Sequence, residues 1–194
     1  MPIRLSKQLN LGHFETWTER PTFPFHQVTQ VHGVEIVPLE DIPCEADGIV
    51  VKWKNYKNPL AIKTADCLPI VFEGENGVVF LHAGWKGLAL GILQRAEIQS
   101  ITPLTAYIGP SIRSCCFEVS EDFKQNFPQS IFFEQRNGKL YFNLQAEAEK
   151  IIKDLFPHLM ITTSKDCTCC HPMYHSYRRD KTNQRNWNIY IKGS

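Results

Sequence analysis

The segment LAIKTADCLPIVFEGENGVVFLHAGWKG, residues 60–87, decides how this chain is read. Within it the runs 60–64, 68–72 and 78–82 are short, apolar and rich in β-branched or aromatic residues. Asp66, Gly74, Asn76 and Gly77 punctuate them, and residues of those types bound strands. Three strands in close succession follow, and two antiparallel neighbours joined by a tight turn can bring Cys67 and His82 to one sheet edge. Outward from this segment, strands are expected at 34–37 and 48–53 before it, and at 105–108, 159–163 and 187–191 after it. One helix is expected at 88–100, after Gly87, and another at 144–156. In the latter, Leu144, Ala148, Ile151, Ile152 and Leu155 share a face, Asn143 offers an N-cap and Pro157 a stop. Residues 10–30 are polar and aromatic, with Pro21 and Pro24, and are expected to be an irregular lead-in. Strands outnumber helices without regular βαβ alternation. The expected class is α+β, as one domain of mixed sheet with a few packed helices over residues 1–194.

Composition narrows the function classes. The 194 residues carry 21 Lys plus Arg against 20 Asp plus Glu, a net charge of +1. That balance disfavours a general nucleic-acid binder. At 43% hydrophobic, with 12 Phe and four Trp, the chain has material for a sizeable core, and disorder is excluded. No apolar run approaches the ~18 residues of a membrane span, and the N-terminus MPIRLSKQLNLG has no continuous apolar signal core. A cytoplasmic protein acting on small molecules is expected, with neither nucleic-acid nor membrane partner. Its seven cysteines, at 44, 67, 115, 116, 167, 169 and 170, are an odd number and fit a reducing compartment. Cys44, Cys115 and Cys116 are expected to be buried, unreactive residues.

Several segments are too polar for ordinary strand ends. They are QVHG at 30–33, TADCLP at 64–69, HAGWKG at 82–87 and SYRRD at 176–180, with IGPSI at 108–112 leading into CCFEV at 115–119. Cys67 lies beside Asp66, and His82 stands fifteen positions on (82 − 67). A thiolate within reach of an imidazole is a nucleophile–base pair. Joined by His32, the same groups form a two-imidazole, one-thiolate set that suits zinc with an open fourth position. A buried structural cysteine and two structural histidines are the plainer alternative.

QVHG, ADGIV, TADCLPIVF, HAGWKG, IGPSI-x-x-CCFEV, DCT and SYRRD occur in an order that resembles the YfiH-like laccase-domain family, from Leu9 to Arg185. That family is also known as multicopper polyphenol oxidases and as purine nucleoside phosphorylases. The resemblance implies a YfiH-like fold of cysteine-hydrolase type. It implies one zinc ion held by His32, Cys67 and His82, with Cys67 and His82 at the centre of catalysis. It implies phosphorolysis of adenosine, inosine or S-methyl-5′-thioadenosine, together with adenosine deamination. Zinc acidifies water, which suits attack at the purine C6, and Asp66 is the carboxylate expected to move the proton. Lys86, Arg178, Arg179 and Arg185 are the expected phosphate clamp. Trp85 and Phe117 are candidates to stack a base, or plain core.

Three departures from the family pattern stand out. Only residues 13–29 separate the LNLG block from QVHG, where the family has a longer segment with a helix. Lys86 replaces an arginine, which keeps the charge and loses the fork. His175 precedes SYRRD in place of an aromatic. Cys167, Cys169, Cys170, His171 and His175 crowd together and suggest a second zinc site, but their spacing poorly matches a tetrahedral finger, so loop residues are expected there. The alternative function is a cysteine hydrolase acting on a peptidoglycan precursor, with Cys67 as nucleophile and His82 as base. A copper polyphenol oxidase is less favoured, because the seven histidines are scattered.

Overall fold

The protein is described from a computed structural model covering residues 3–193. Its centre is the hairpin of Leu68–Gly74 and Gly77–Ala83, turned at Glu75-Asn76, with Leu68 opposite Ala83 and Pro69 opposite His82. The turn passes so close to the neighbouring strand that a Cβ on Gly77 would lie 2.1 Å from the Val51 carbonyl oxygen. Every residue of both strands is buried. Ile70, Phe72, Val79 and Leu81 face one apolar cluster, while Val71, Val78 and Phe80 face the other. A strand covered on both faces reads as a continuous apolar run rather than an alternation, as this segment does.

Around the hairpin a six-stranded sheet runs Met160–Thr163, Pro103–Ile108, Leu68–Gly74, Gly77–Ala83, Gly48–Lys52, Ile36–Pro38. Its two outer pairings are parallel and the inner ones antiparallel. A four-stranded sheet, Ile3–Gln8, Gly12–Trp17, Asn186–Lys192, Leu60–Thr64, packs on one face through Phe14, Ile62 and Tyr190. The other face is covered by the helix Leu144–Leu155, which buries Leu144, Ala148 and Ile152, and by a small sheet of Phe133–Arg136, Lys139–Phe142 and Glu118–Val119. The architecture is mixed α+β, as the sequence implies.

Two expectations fail. The helix expected at 88–100 is broken into Trp85–Ala89, a 3-10 turn at Ile92–Gln94 and Ala96–Gln99. Gly91 sits between them at φ +92°, a left-handed conformation that ends a helix. The lead-in expected over 10–30 contains the strand Gly12–Trp17, paired with Ile3–Gln8 and Asn186–Lys192. Its inward positions are Gly12, Phe14 and Thr16, so two of three are not large apolar residues and the alternation is muted. The LNLG block ahead of this strand is fixed by the buried carboxylate of Glu73. Glu73 accepts the Asn10 and Leu11 N–H groups and the hydroxyls of Thr105 and Tyr190. Among the described residues, no helix is long and apolar enough to cross a membrane.

Candidate metal centre and active-site pocket

The hairpin register places the first donors. Cys67 lies one step beyond the Leu68–Ala83 pair, against Gly84, and His82 sits two positions before Gly84 on the partner strand. A Cβ on Gly84 would come 3.1 Å from Cys67 Sγ and 3.5 Å from His32 Cδ2. His32 arrives from the loop before Ile36–Pro38 at φ +62°, and Asp66, next to Cys67, is at φ +93°. Such non-glycine conformations cost of order 1–3 kcal/mol and persist where surrounding bonds enforce them. The donor atoms of His32, Cys67 and His82 all lie within 4.8 Å of one another, with the two imidazole rings edge to face at 4.7 Å.

Asp47, within ADGIV, enforces the geometry. It is fully buried and accepts four hydrogen bonds: His82 Nδ1–H at 2.7 Å, and the N–H groups of Gly33 at 2.6 Å, His32 at 3.0 Å and Val31 at 3.3 Å. One carboxylate thus shapes the QVHG turn and fixes the His82 tautomer, leaving Nε2 for the donor cluster. Burial opposes its charge, but the bonds from His82 and the loop amides hold its pKa below the ordinary value. For Cys67, burial also opposes the charged form, yet hydrogen bonds from His32 and His82 outweigh it and bring the thiol down to about 6. His82 moves the other way, up to about 9, because Asp47 and Cys67 overcome the cost of burying an imidazolium. The site therefore favours a Cys67 thiolate beside a protonated His82; the thiolate is ready to ligate a metal, whereas His82 would release its Nε2 proton on binding one.

The cluster opens into a cavity of about 940 Å³. Phe25, His26 and neighbours from the short 13–29 segment form one wall, and Trp85 and Phe117 line another. Lys63, Arg178, Lys181 and Arg185 also border it, against the single carboxylate of Asp66, so the lining is cationic.

A family profile described as multi-copper polyphenol oxidoreductase laccase matches residues 8–190. The chain belongs to this family. Within it, a purine nucleoside phosphorylase from Aquifex aeolicus is 33% identical over 189 residues, 95% of this chain and 89% of that protein. Purine nucleoside phosphorylase YfiH of Escherichia coli is 28% identical over 167 residues, covering 80% of this chain and 69% of that one. A crystal structure of a Neisseria meningitidis protein of family DUF152 superposes with a TM-score of 0.77 at 29% identity, over 88% of this chain and 76% of that chain. The family's name implies several coppers. Two imidazoles and one thiolate are a donor set that could hold one metal ion, open to the cavity.

The laccase-family blocks divide into two groups in space. His32, Cys67 and His82 converge, while Arg178 and Arg185 reach the cavity wall, each with Nη1 on backbone carbonyls, those of Cys116 and Glu118 for Arg178 and of Thr182 and Gln184 for Arg185. Lys86 is exposed, is not among the lining residues, and lies with Nζ 5.6 Å from the Trp85 ring. Arg179 spends its guanidinium on the carbonyls of Thr168, Cys169, His171 and Tyr174 and on Asp180. Asp66 borders the cavity, but its oxygens accept from Thr168 Oγ1, Ser176 Oγ and the Arg178 N–H. Phe117 is 8% exposed and packs in the core beside Phe142. His175 binds Asn186 and the Thr18 carbonyl, away from any donor cluster. Cys115 is exposed and Cys116 half-buried, contrary to the expectation of inert core residues, because both sit on a turn against Cys170. Asp47 is the functional residue that sequence reasoning missed. Its signal was a carboxylate directly ahead of the apolar run GIVV, a position where a charge survives only if fully bonded.

Proposed function

We propose that this protein is a zinc-dependent purine nucleoside phosphorylase. The observation that carries the reading is the His32–Cys67–His82 cluster at the base of a cavity bordered by four cationic side chains. The names of the Aquifex and Escherichia relatives support the substrate class. Zinc held by these three residues would supply Lewis acidity at the reacting centre. Asp47 keeps His82 in the ligating tautomer and holds the His32 loop in place. Arg178, Arg185, Lys63 and Lys181 draw inorganic phosphate into the cavity and orient it. Trp85 and the exposed Tyr177 offer apolar faces for a purine. In the reaction, a phosphate oxygen bonds to C1′ of adenosine, inosine or S-methyl-5′-thioadenosine. The C1′–N9 bond breaks, its electron pair and a proton go to the base, and the sugar leaves as its 1-phosphate. Hydrolytic release of ammonia from adenosine is assigned to the same centre. Asp66 is assigned a positioning role, holding Arg178, rather than proton transfer, since structural donors occupy its carboxylate.

Base release from adenosine must then require phosphate and yield ribose 1-phosphate. Cys67→Ala should abolish it, and Arg178→Ala should lower kcat/KM for phosphate about ten- to hundred-fold, the loss of one charged hydrogen bond of ~1.5–3 kcal/mol. Base release that proceeds equally well without phosphate overturns the assignment. The continuous Asp47–His82–Cys67 hydrogen-bond chain favours one other reading, a cysteine hydrolase acting on a peptidoglycan precursor. Chelation separates the two: it stops the phosphorylase and frees the nucleophile of a hydrolase.

A further inference from the structure

A second donor cluster lies outside the cavity. The Sγ atoms of Cys115, Cys116, Cys167 and Cys170 are all within 4.8 Å of one another, with Cys116–Cys170 at 3.2 Å and Cys115–Cys170 at 3.5 Å. Four sulfurs around zinc, at bonds of about 2.3 Å, stand about 3.8 Å apart along the edges of a tetrahedron. The four thiols are thus already spaced much as such a shell requires. Cys167 and Cys170 enclose two residues, the Cys-x2-Cys spacing of structural zinc sites. The Arg113 N–H donates to Cys167 Sγ at 3.4 Å, tying the two loops at this sulfur. The backbone around the cluster is clamped by cations. Arg136 donates to the carbonyls of Ser114 and Cys115, Arg178 to that of Cys116, Arg179 to those of Thr168 and Cys169, and Arg113 to that of Lys165. Four thiolates around a divalent ion carry a net charge of −2, and this ring of guanidinium groups offsets it.

We propose that Cys115, Cys116, Cys167 and Cys170 bind a structural zinc ion that staples the 111–119 loop to the 165–171 loop. Without it, the loops are joined by the single bridge Ser111–Cys167 and a few hydrogen bonds. The staple bears on the cavity at one remove. Thr168, inside the Cys-x2-Cys turn, donates to Asp66, and Arg178 reaches from the cavity wall to the carbonyl of Cys116. It shares no ligand with the first centre.

The test is metal counting on intact protein from zinc-supplemented cells. The native chain should carry about two zinc ions, Cys67→Ala about one and Cys170→Ser about one. Cobalt exchanged into Cys67→Ala should give the sulfur-to-metal charge-transfer absorption of a four-thiolate site. Residue-resolved alkylation should find Cys115, Cys116, Cys167 and Cys170 protected together and exposed together by a chelator, with Cys44 unchanged. This measurement needs no variant and decides the matter if Cys170→Ser does not fold. Metal-free Cys67→Ala protein, disulfides among the four, or labelling of the four at one rate with and without chelator would each overturn the proposal. None of these results depends on nucleoside turnover, so a failure of the phosphorylase reading remains separate.

Discussion

Substituting Asp47→Asn should weaken both the fold and the metal centre, by amounts the hydrogen bonds fix. Asp47 Oδ1 accepts from His82 Nδ1 and the His32 amide, and Oδ2 from the Gly33 and Val31 amides, with the residue fully buried. An asparagine retains one acceptor oxygen. Turned one way, its NH₂ group meets the Gly33 and Val31 N–H donors; turned the other, it meets the His32 N–H and His82 Nδ1, which can accept only if the ring proton moves to Nε2, the ligating nitrogen. At about 1–3 kcal/mol for each buried donor without a partner, stability falls by about 1–6 kcal/mol. That is a large share of the ~5–15 kcal/mol that domains possess. Zinc affinity should fall about ten- to hundred-fold, the usual cost of losing the partner behind a ligating histidine. Urea denaturation of chelator-treated protein measures the first effect, and competition with a chromophoric chelator the second. A variant that loses stability as expected but binds zinc with native affinity would show that Asp47 does not orient His82, and would remove the physical basis of the centre.

Other expectations follow from single contacts. Gly84→Ala places a methyl about 3.1 Å from Cys67 Sγ on unstrained backbone, so zinc affinity should drop about ten-fold while the urea midpoint barely moves. Glu73→Gln should cost no more than about 1–3 kcal/mol in denaturation, because Leu11 bonds both oxygens and the Thr105 and Tyr190 hydroxyls can turn to accept, leaving at most the Asn10 N–H without an acceptor, and should leave zinc affinity unchanged. Arg179→Ala should lower the thermal midpoint without changing the KM for phosphate, since its donors serve loop carbonyls; a raised KM would return Arg179 to the anion clamp.

The hairpin at the centre was legible because burial on both faces leaves long apolar runs, and because Gly74-Glu75-Asn76-Gly77 marks the turn. The helix Leu144–Leu155 was legible from its spacing and from Asn143, whose side chain does accept the Ala146 N–H. The strand Ile3–Gln8 was not, since it is a mostly exposed edge that, among the described residues, pairs with Gly12–Trp17 alone. The broken helix after Trp85 hid because Leu88, Ile92 and Leu93 are buried at helical spacing even though Gly91 interrupts the coil. Residue chemistry grouped His32, Cys67 and His82 with a structural alternative beside it, the family resemblance implied their role as ligands, and the register explains why two of them meet. The crowding at 167–175 suggested a second zinc site that the spacing argued against, and the part played by Cys115 and Cys116 escaped because Cys116 and Cys170, now in contact, are 54 positions apart in sequence. Nothing local announces such a meeting.

The pairing of Leu68 with Ala83 has a consequence for how this protein can change over generations. Cys67 and His82 are set by a hydrogen-bonded ladder, and a one-residue insertion at Glu75-Asn76 would turn His82 to the opposite face of the sheet. The turn should therefore tolerate replacement but not a change of length. The cavity walls at Phe25, Tyr177 and Arg185 come instead from segments outside that ladder. New substrates can be explored there by lengthening or rewriting loops while the donor triplet stays where it is. Diversification of such a scaffold should leave its record as insertions around 18–29 and 181–185, with the 68–83 hairpin constant in length.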